Sequence, residues 1–122
     1  MSGTTTGIWV AHGEGRALFP NQAVMDKVIS SNLAPLRYCD DSATTPSILT
    51  GSPLGIAALC SPDGRHLAMM PHPERCFLMW QYPWYPKDWH EMDPAGPSPW
   101  MRMFQNARKW CERQQQQQGS FM

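Results

Sequence analysis

The apolar positions of this chain fall into short runs separated by polar or proline-rich stretches. Residues 7–11, Gly-Ile-Trp-Val-Ala, are apolar and rich in β-branched and aromatic side chains, and they predict a strand. After Asn21, Val24 with Val28 and Met25 with Ile29 repeat at i, i+4. That spacing predicts a helix with one buried face, capped by Asn21 and stopped at Asn32. Residues 35–39 predict another strand, and the Ser- and Thr-rich residues 40–53 a loop. Residues 54–60 and 65–70 are apolar runs flanking Ser61-Pro62-Asp63-Gly64, with Pro and Gly where a tight turn needs them. This predicts a β-hairpin whose second strand delivers His72 at its end. Residues 74–81 are a candidate short helix, broken by Pro83 and Pro86. Ser98 and Pro99 supply a cap and a first-turn proline for a last helix. Its apolar stripe of Trp100, Met103, Phe104, Ala107, Trp110 and Cys111 runs to about Arg113 and reads as packing. The glutamines at 114–118 read as the start of a disordered tail, residues 114–122.

The polar segments carry the candidate chemistry. His12-Gly13-Glu14-Gly15-Arg16 follows the first predicted strand. It is either a simple turn or a loop that brings backbone close to a ligand. Tyr82, Trp84, Tyr85 and Trp89 crowd one stretch, either to cover a core or to meet a ligand. Residues 69–75 read Met-Met-Pro-His-Pro-Glu-Arg. Pro73 has its φ fixed and biases His72 toward an extended conformation. A carboxylate against one imidazole nitrogen sets the tautomer and leaves the other nitrogen able to take a proton. His72 and Glu74 thus suit a base and its orienter, and the missing member is a nucleophile.

Composition narrows the function classes. The 122 residues suit one small domain. Lys plus Arg and Asp plus Glu are both 10, so nothing points to an electrostatic nucleic-acid or membrane partner. No run of about 18 apolar residues suggests a membrane span, and the first residues lack the pattern of a signal peptide. Cys39, Cys60, Cys76 and Cys111 are widely spaced, so no metal site is expected. Reduced thiols point to the cytoplasm. Charged residues are 16%, and there are 6 Trp and 9 Met, a composition that implies apolar surface this chain alone does not cover.

With the elements in order, the chain resembles the phosphoribosylformylglycinamidine synthase family, at the C-terminal end of its class I glutamine amidotransferase domain. The runs that carry the resemblance are Val10-Ala11-His12-Gly13-Glu14-Gly15-Arg16, Leu33-Ala34-Pro35-Leu36, Asp40-Asp41 and Gly51-Ser52-Pro53. They continue in Cys60-Ser61-Pro62-Asp63-Gly64-Arg65-His66-Leu67-Ala68, Met70-Pro71-His72-Pro73-Glu74-Arg75 and Ser98-Pro99-Trp100 with Phe104, Asn106, Ala107 and Arg108. The resemblance implies an α/β, flavodoxin-like fold: a mixed sheet with a β-hairpin and a C-terminal helix, of which residues 1–113 are the C-terminal half. It implies that His72 and Glu74 are the histidine and glutamate of a Cys-His-Glu triad. It makes His12, Gly13 and Glu14 candidates for contact with the substrate, glutamine. In the family, ammonia released from glutamine passes to a synthetase domain that uses ATP and Mg to form formylglycinamidine ribonucleotide; no cofactor is expected in this chain.

Two departures stand out. None of the four cysteines lies in the Gly-x-Cys-x-Gly elbow that carries the family's nucleophile. The family's Asn-, Pro- and Gly-rich loop is rewritten here at residues 42–50. Two readings follow. In one, the chain is part of a glutaminase, inactive alone, that works with a partner supplying the cysteine half. In the other, it is a relict or interaction protein that keeps the fold without the chemistry. A cut sheet edge at residues 7–11, or the stripe of the last helix, is expected to promote self-association.

Overall fold

The computed structural model describes residues 3–13, 15–39 and 51–119, and of residues 90, 91 and 117–119 only the backbone. The chain divides into a middle unit, residues 10–71, and a terminal unit built from both chain ends, residues 1–9 and 72–122.

In the middle unit, helix α1 spans Gln22–Ser30. Asn21 is extended, and its side-chain oxygen accepts the Val24 N–H at 3.0 Å. At the other end Asn32 adopts φ 54°. The Asn32 N–H bonds the Ile29 carbonyl and the Leu33 N–H the Val28 carbonyl, at 3.0 and 2.9 Å. This pair of reversed bonds is a Schellman ending, with asparagine in the left-handed position that glycine usually fills. Both ends fall where the sequence puts them. The buried face does not: no residue of α1 is buried, and Val24 is 41% exposed.

Strands β1, Ala58–Cys60, and β2, Leu67–Met69, pair antiparallel with Leu59 opposite Ala68. The turn is closed by Ser61 N–H to the His66 carbonyl and Gly64 N–H to the Ser61 carbonyl, both 3.0 Å. Gly64 takes φ 71°, which the tight turn requires. The hairpin is therefore as expected, with shorter strands. Upstream of it, Pro53–Gly55 form a 3-10 turn in which Leu54 has φ 54°. Ser52, Ile56, Ala57 and Ala58 are the buried centre of this unit.

The strand expected at residues 35–39 is not formed. The segment instead runs antiparallel beside residues 55–60 through spaced bonds: Cys60 N–H to Leu33, Ala57 N–H to Leu36 and Tyr38 N–H to Gly55. Pro35 has no N–H to add, so the ladder is interrupted.

The terminal unit has little regular structure before its last helix. Residues 7–9 are not a strand, contrary to expectation. They are held by indoles: Trp100 Nε1 donates to the Gly7 carbonyl and Trp9 Nε1 to the Gln81 carbonyl, both at 2.7 Å. The expected helix at 74–81 is replaced by two 3-10 turns, Pro73–Arg75 and Met79–Gln81. Residues 77–80 bond along residues 94–98, with Leu78 bridging Pro97. Helix α2 spans Met101–Gly119. It therefore continues through the glutamines, past the end expected near Arg113; glutamine is a fair helix former and no breaker precedes Gly119. Its stripe is only partly packed: Trp100, just before it, is buried, whereas Phe104 is 39% exposed. Cys76, Met79, Tyr82 and Trp100 form the buried apolar centre.

Among the described residues the sheet is two-stranded and antiparallel. With α1 and α2 this is a small α/β arrangement.

Ser98 fixes the start of α2. Its hydroxyl donates to the Cys76 carbonyl and accepts the Trp100 N–H at 3.1 Å, and the residue is buried. Ser98→Ala leaves that carbonyl without its donor and the helix without its cap. It should cost about 1–3 kcal/mol in urea unfolding followed by tryptophan fluorescence. Ser98→Thr, which keeps the hydroxyl, should recover most of the loss.

Candidate functional site

The site is built on one 3-10 turn. His72 stands before it at φ −113°, ψ 80°, on the extended side that a residue preceding proline adopts. Arg75 N–H bonds the His72 carbonyl and Cys76 N–H the Pro73 carbonyl, both at 3.1 Å. The turn lifts Glu74 back toward the ring, and His72 Nδ1 meets Glu74 Oε1 at 2.7 Å. The His72 N–H is tied to the Trp9 carbonyl at 2.9 Å. The ring is thereby oriented from both its backbone and its Nδ1 side.

The chemistry follows from the donor count. An ionised carboxylate only accepts, so Nδ1 carries the hydrogen and Nε2 presents its lone pair. The His72 side chain is 31% exposed and that of Glu74 57%, so neither is walled off from water. Glu74 is held below its ordinary pKa, chiefly by the bond from His72, then by a backbone N–H and by the charges of His72, once protonated, and of Arg75. Arg75 Nε lies 3.8 Å from the same oxygen.

The loop candidates fall in the middle unit. His12 Nδ1 accepts the Gly15 N–H at 3.0 Å, and its Nε2 lies 3.4 Å from the Tyr38 hydroxyl. One ring nitrogen thus bonds within the loop and the other faces Tyr38. Burial raises the Tyr38 phenol above its ordinary pKa. Gly13 is exposed, and Glu14 lies outside the described residues.

Cys76 is not placed as a nucleophile for His72. Cys76, the nearest in sequence, is fully buried, and its Sγ points to the backbone carbonyls of His72 and Pro73 at 3.6 and 3.7 Å. Burial pushes its thiol pKa up, toward the unreactive protonated form. Cys39 and Cys60 are half-buried in the middle unit, and Cys111 is exposed on α2. Among the described residues no three His, Cys, Asp or Glu side chains group as a metal site. No helix among them is long and apolar enough to cross a membrane. Within the aromatic cluster, Tyr82 is buried and stacks on Tyr85 at 6.2 Å, whereas Trp84 is 69% exposed. Sequence reasoning missed the role of Trp9, whose carbonyl anchors His72; no local pattern signals a bond across so many residues.

The Glu74 shift gives a pH prediction. Its folded pKa is depressed, so the His72–Glu74 bond contributes stability above the ordinary carboxylate range and loses it as pH falls through the lowered folded value. A carboxyl-carbon NMR titration should place the Glu74 midpoint below about 4.3, the ordinary glutamate value. His72→Phe should move it back up; an unmoved midpoint would show that the bond does not set the shift.

The sequence profile of the CobB/CobQ-like glutamine amidotransferase domain matches residues 1–111. The chain is 66% identical over 116 residues to a probable phosphoribosylformylglycinamidine synthase, chloroplastic/mitochondrial, of Arabidopsis thaliana. That match covers 92% of this chain and 8% of the relative. It is 44% identical to the phosphoribosylformylglycinamidine synthase of Drosophila melanogaster, over 95% of this chain and 9% of that protein. Against that of Homo sapiens it is 42% identical, over 90% and 8%. The chain therefore spans less than a tenth of the length of these relatives. A match over nearly the whole chain, with His72 and Glu74 in bonding contact, fixes the family: this chain belongs to the CobB/CobQ-like glutamine amidotransferase domains.

Proposed function

We propose that this chain carries the proton-handling part of a glutaminase, with His72 as the base and Glu74 as its orienter. The observation that supports this best is the 2.7 Å bond from His72 Nδ1 to Glu74, which leaves Nε2 to accept a proton. A cysteine thiol from the rest of the domain gives its proton to Nε2, and the sulfur attacks the side-chain amide carbon of glutamine. The tetrahedral adduct collapses as the C–N bond breaks, and the imidazolium returns the proton to the leaving nitrogen, releasing ammonia. A water molecule, deprotonated by the same imidazole, then hydrolyses the thioester to glutamate and restores the thiol.

The 122 residues contain no Gly-x-Cys-x-Gly elbow, so the cycle needs a nucleophile from outside them. The wider reading is that of the relatives named phosphoribosylformylglycinamidine synthase. There the ammonia converts a formylglycinamide ribonucleotide to the amidine in a synthetase domain using ATP and Mg. We place ATP and Mg in that synthetase domain rather than in these 122 residues. The flavodoxin-like class belongs to the same reading and requires strands supplied by the remainder of the domain. The free thiols suit a reducing compartment, and we keep the cytoplasm as the proposal; the name of the Arabidopsis relative assigns that protein to chloroplast or mitochondrion. A fluorescent fusion of the full-length protein distinguishes the two.

The activity test compares two proteins. The 122-residue chain should release no ammonia from glutamine above background. The full amidotransferase domain, elbow included, should release it. In the full domain His72→Ala should lower kcat about a thousandfold or more, and Glu74→Gln by less. A full domain indifferent to His72→Ala would leave the non-catalytic, interaction-protein reading.

The exposed part of the α2 stripe gives a second expectation. Phe104, Ala107 and Cys111 are exposed on one helix, a surface suited to a second copy or to the rest of the domain. Sedimentation of the isolated chain at micromolar concentration should show a dimer that Phe104→Glu dissociates. A monodisperse monomer would rule out self-association through this face.

A further inference from the structure

Arg16 closes the His12–Arg16 loop of the middle unit and is exposed. Its guanidinium has no ion-pair or hydrogen-bond partner among the described residues. Its backbone and stem are nevertheless anchored. The next N–H, that of Ala17, is held by the Oγ of fully buried Ser52 at 2.9 Å. The arginine stem passes over Gly51, where an added Cβ would meet its Cδ at 3.8 Å. Gly51 itself has φ 72°, so the backbone that leaves this room also favours glycine.

Beside Arg16 lies a groove of about 220 Å³. Its buried floor is Ile56, Ala57 and Ala58, and Ala68, Met69 and Met70 also line it. The hairpin shapes it, because alanines at 57, 58 and 68 leave space that larger side chains would fill. Methionine is adaptable and lines surfaces that accept varied apolar groups. Among the described residues Arg16 is the one charged lining residue.

We infer that this groove binds a small amphipathic carboxylate, its apolar body against Ala57, Ala58, Met69 and Met70 and its carboxylate on the Arg16 guanidinium. Size and charge select that class. The volume is below the roughly 300–1,000 Å³ of sites for drug-sized ligands, so the body is short. One guanidinium fork matches one carboxylate in a bidentate pair. A phosphate dianion needs a second cation, and the lining supplies none. The site lies wholly within the middle unit and does not involve His72 or Glu74.

The test follows the methyl carbons of Met69 and Met70 by NMR in the ¹³C-methyl-labelled chain, with hexanoate, hexan-1-ol and butyl phosphate as probes. Hexanoate should shift both methyls saturably, at least about tenfold more tightly than hexan-1-ol or butyl phosphate, as a charge-assisted pair requires. Arg16→Gln should bring hexanoate down to the level of the alcohol. Ala68→Trp, a substitution at an exposed rim position, should block both. His72→Ala should leave hexanoate binding unchanged, which separates this site from the amidotransferase chemistry. No saturable shift, equal affinity for acid and alcohol, tighter butyl phosphate, or an Arg16→Gln chain that still binds hexanoate fully would each overturn the proposal.

Discussion

The fixed φ of Pro73 is the constraint on which the candidate site depends. It sets a 3-10 turn immediately after His72, and that turn brings the carboxylate two residues on within 2.7 Å of Nδ1. Burial plays a small part in holding the side chains, since both are open to water. The rigid part lies beneath them: Pro73 and Cys76 are buried, and the His72 N–H is fastened to Trp9. Precision is thus supplied by backbone, and the two functional side chains inherit it.

This arrangement has an energetic consequence. An ion pair between exposed groups contributes little to stability, because water screens it. The His72–Glu74 bond therefore has little to do with keeping the unit folded and much to do with which nitrogen bears the proton. The depressed Glu74 pKa has the same origin: the hydrogen bond from the ring is the largest cause, and desolvation opposes it. Cys76, two residues further on, shows the opposite regime. There burial dominates, the thiol is held protonated, and its sulfur only seals the turn that carries the histidine.

What the sequence disclosed follows the range of the interactions. The hairpin turn, both ends of α1, the Ser98 start of α2 and the His72–Glu74 contact are settled within about five residues, and each was legible. Residues 7–11 and 35–39 have the composition of strands, but a strand also needs a neighbour presenting a full ladder. The described residues give these segments isolated bonds instead. The apolar face of α1 and the stripe of α2 are correct as periodicity, but α1 buries none of its residues and α2 only part of its stripe, because burial depends on what packs against them. His12 bonds the Gly15 N–H, a contact three residues along the chain that shapes its own glycine-rich loop.

The same distinction accounts for the distribution of apolar surface. Trp80, Trp84 and Leu18 are each more than 60% exposed, while the buried floor of the middle unit is made of Ile56 and two alanines. Two indoles this exposed leave apolar surface that the small buried centres do not cover. A site whose geometry came from core packing would be disturbed by so little burial. One that rests on a proline turn, a pair of short-range backbone bonds and a single tether from Trp9 does not need that core to set its angles. Local stiffness and wider cover are therefore separable here: the turn fixes the orientation of the imidazole, and any surface that covers the indoles adds stability without having to shape the pair.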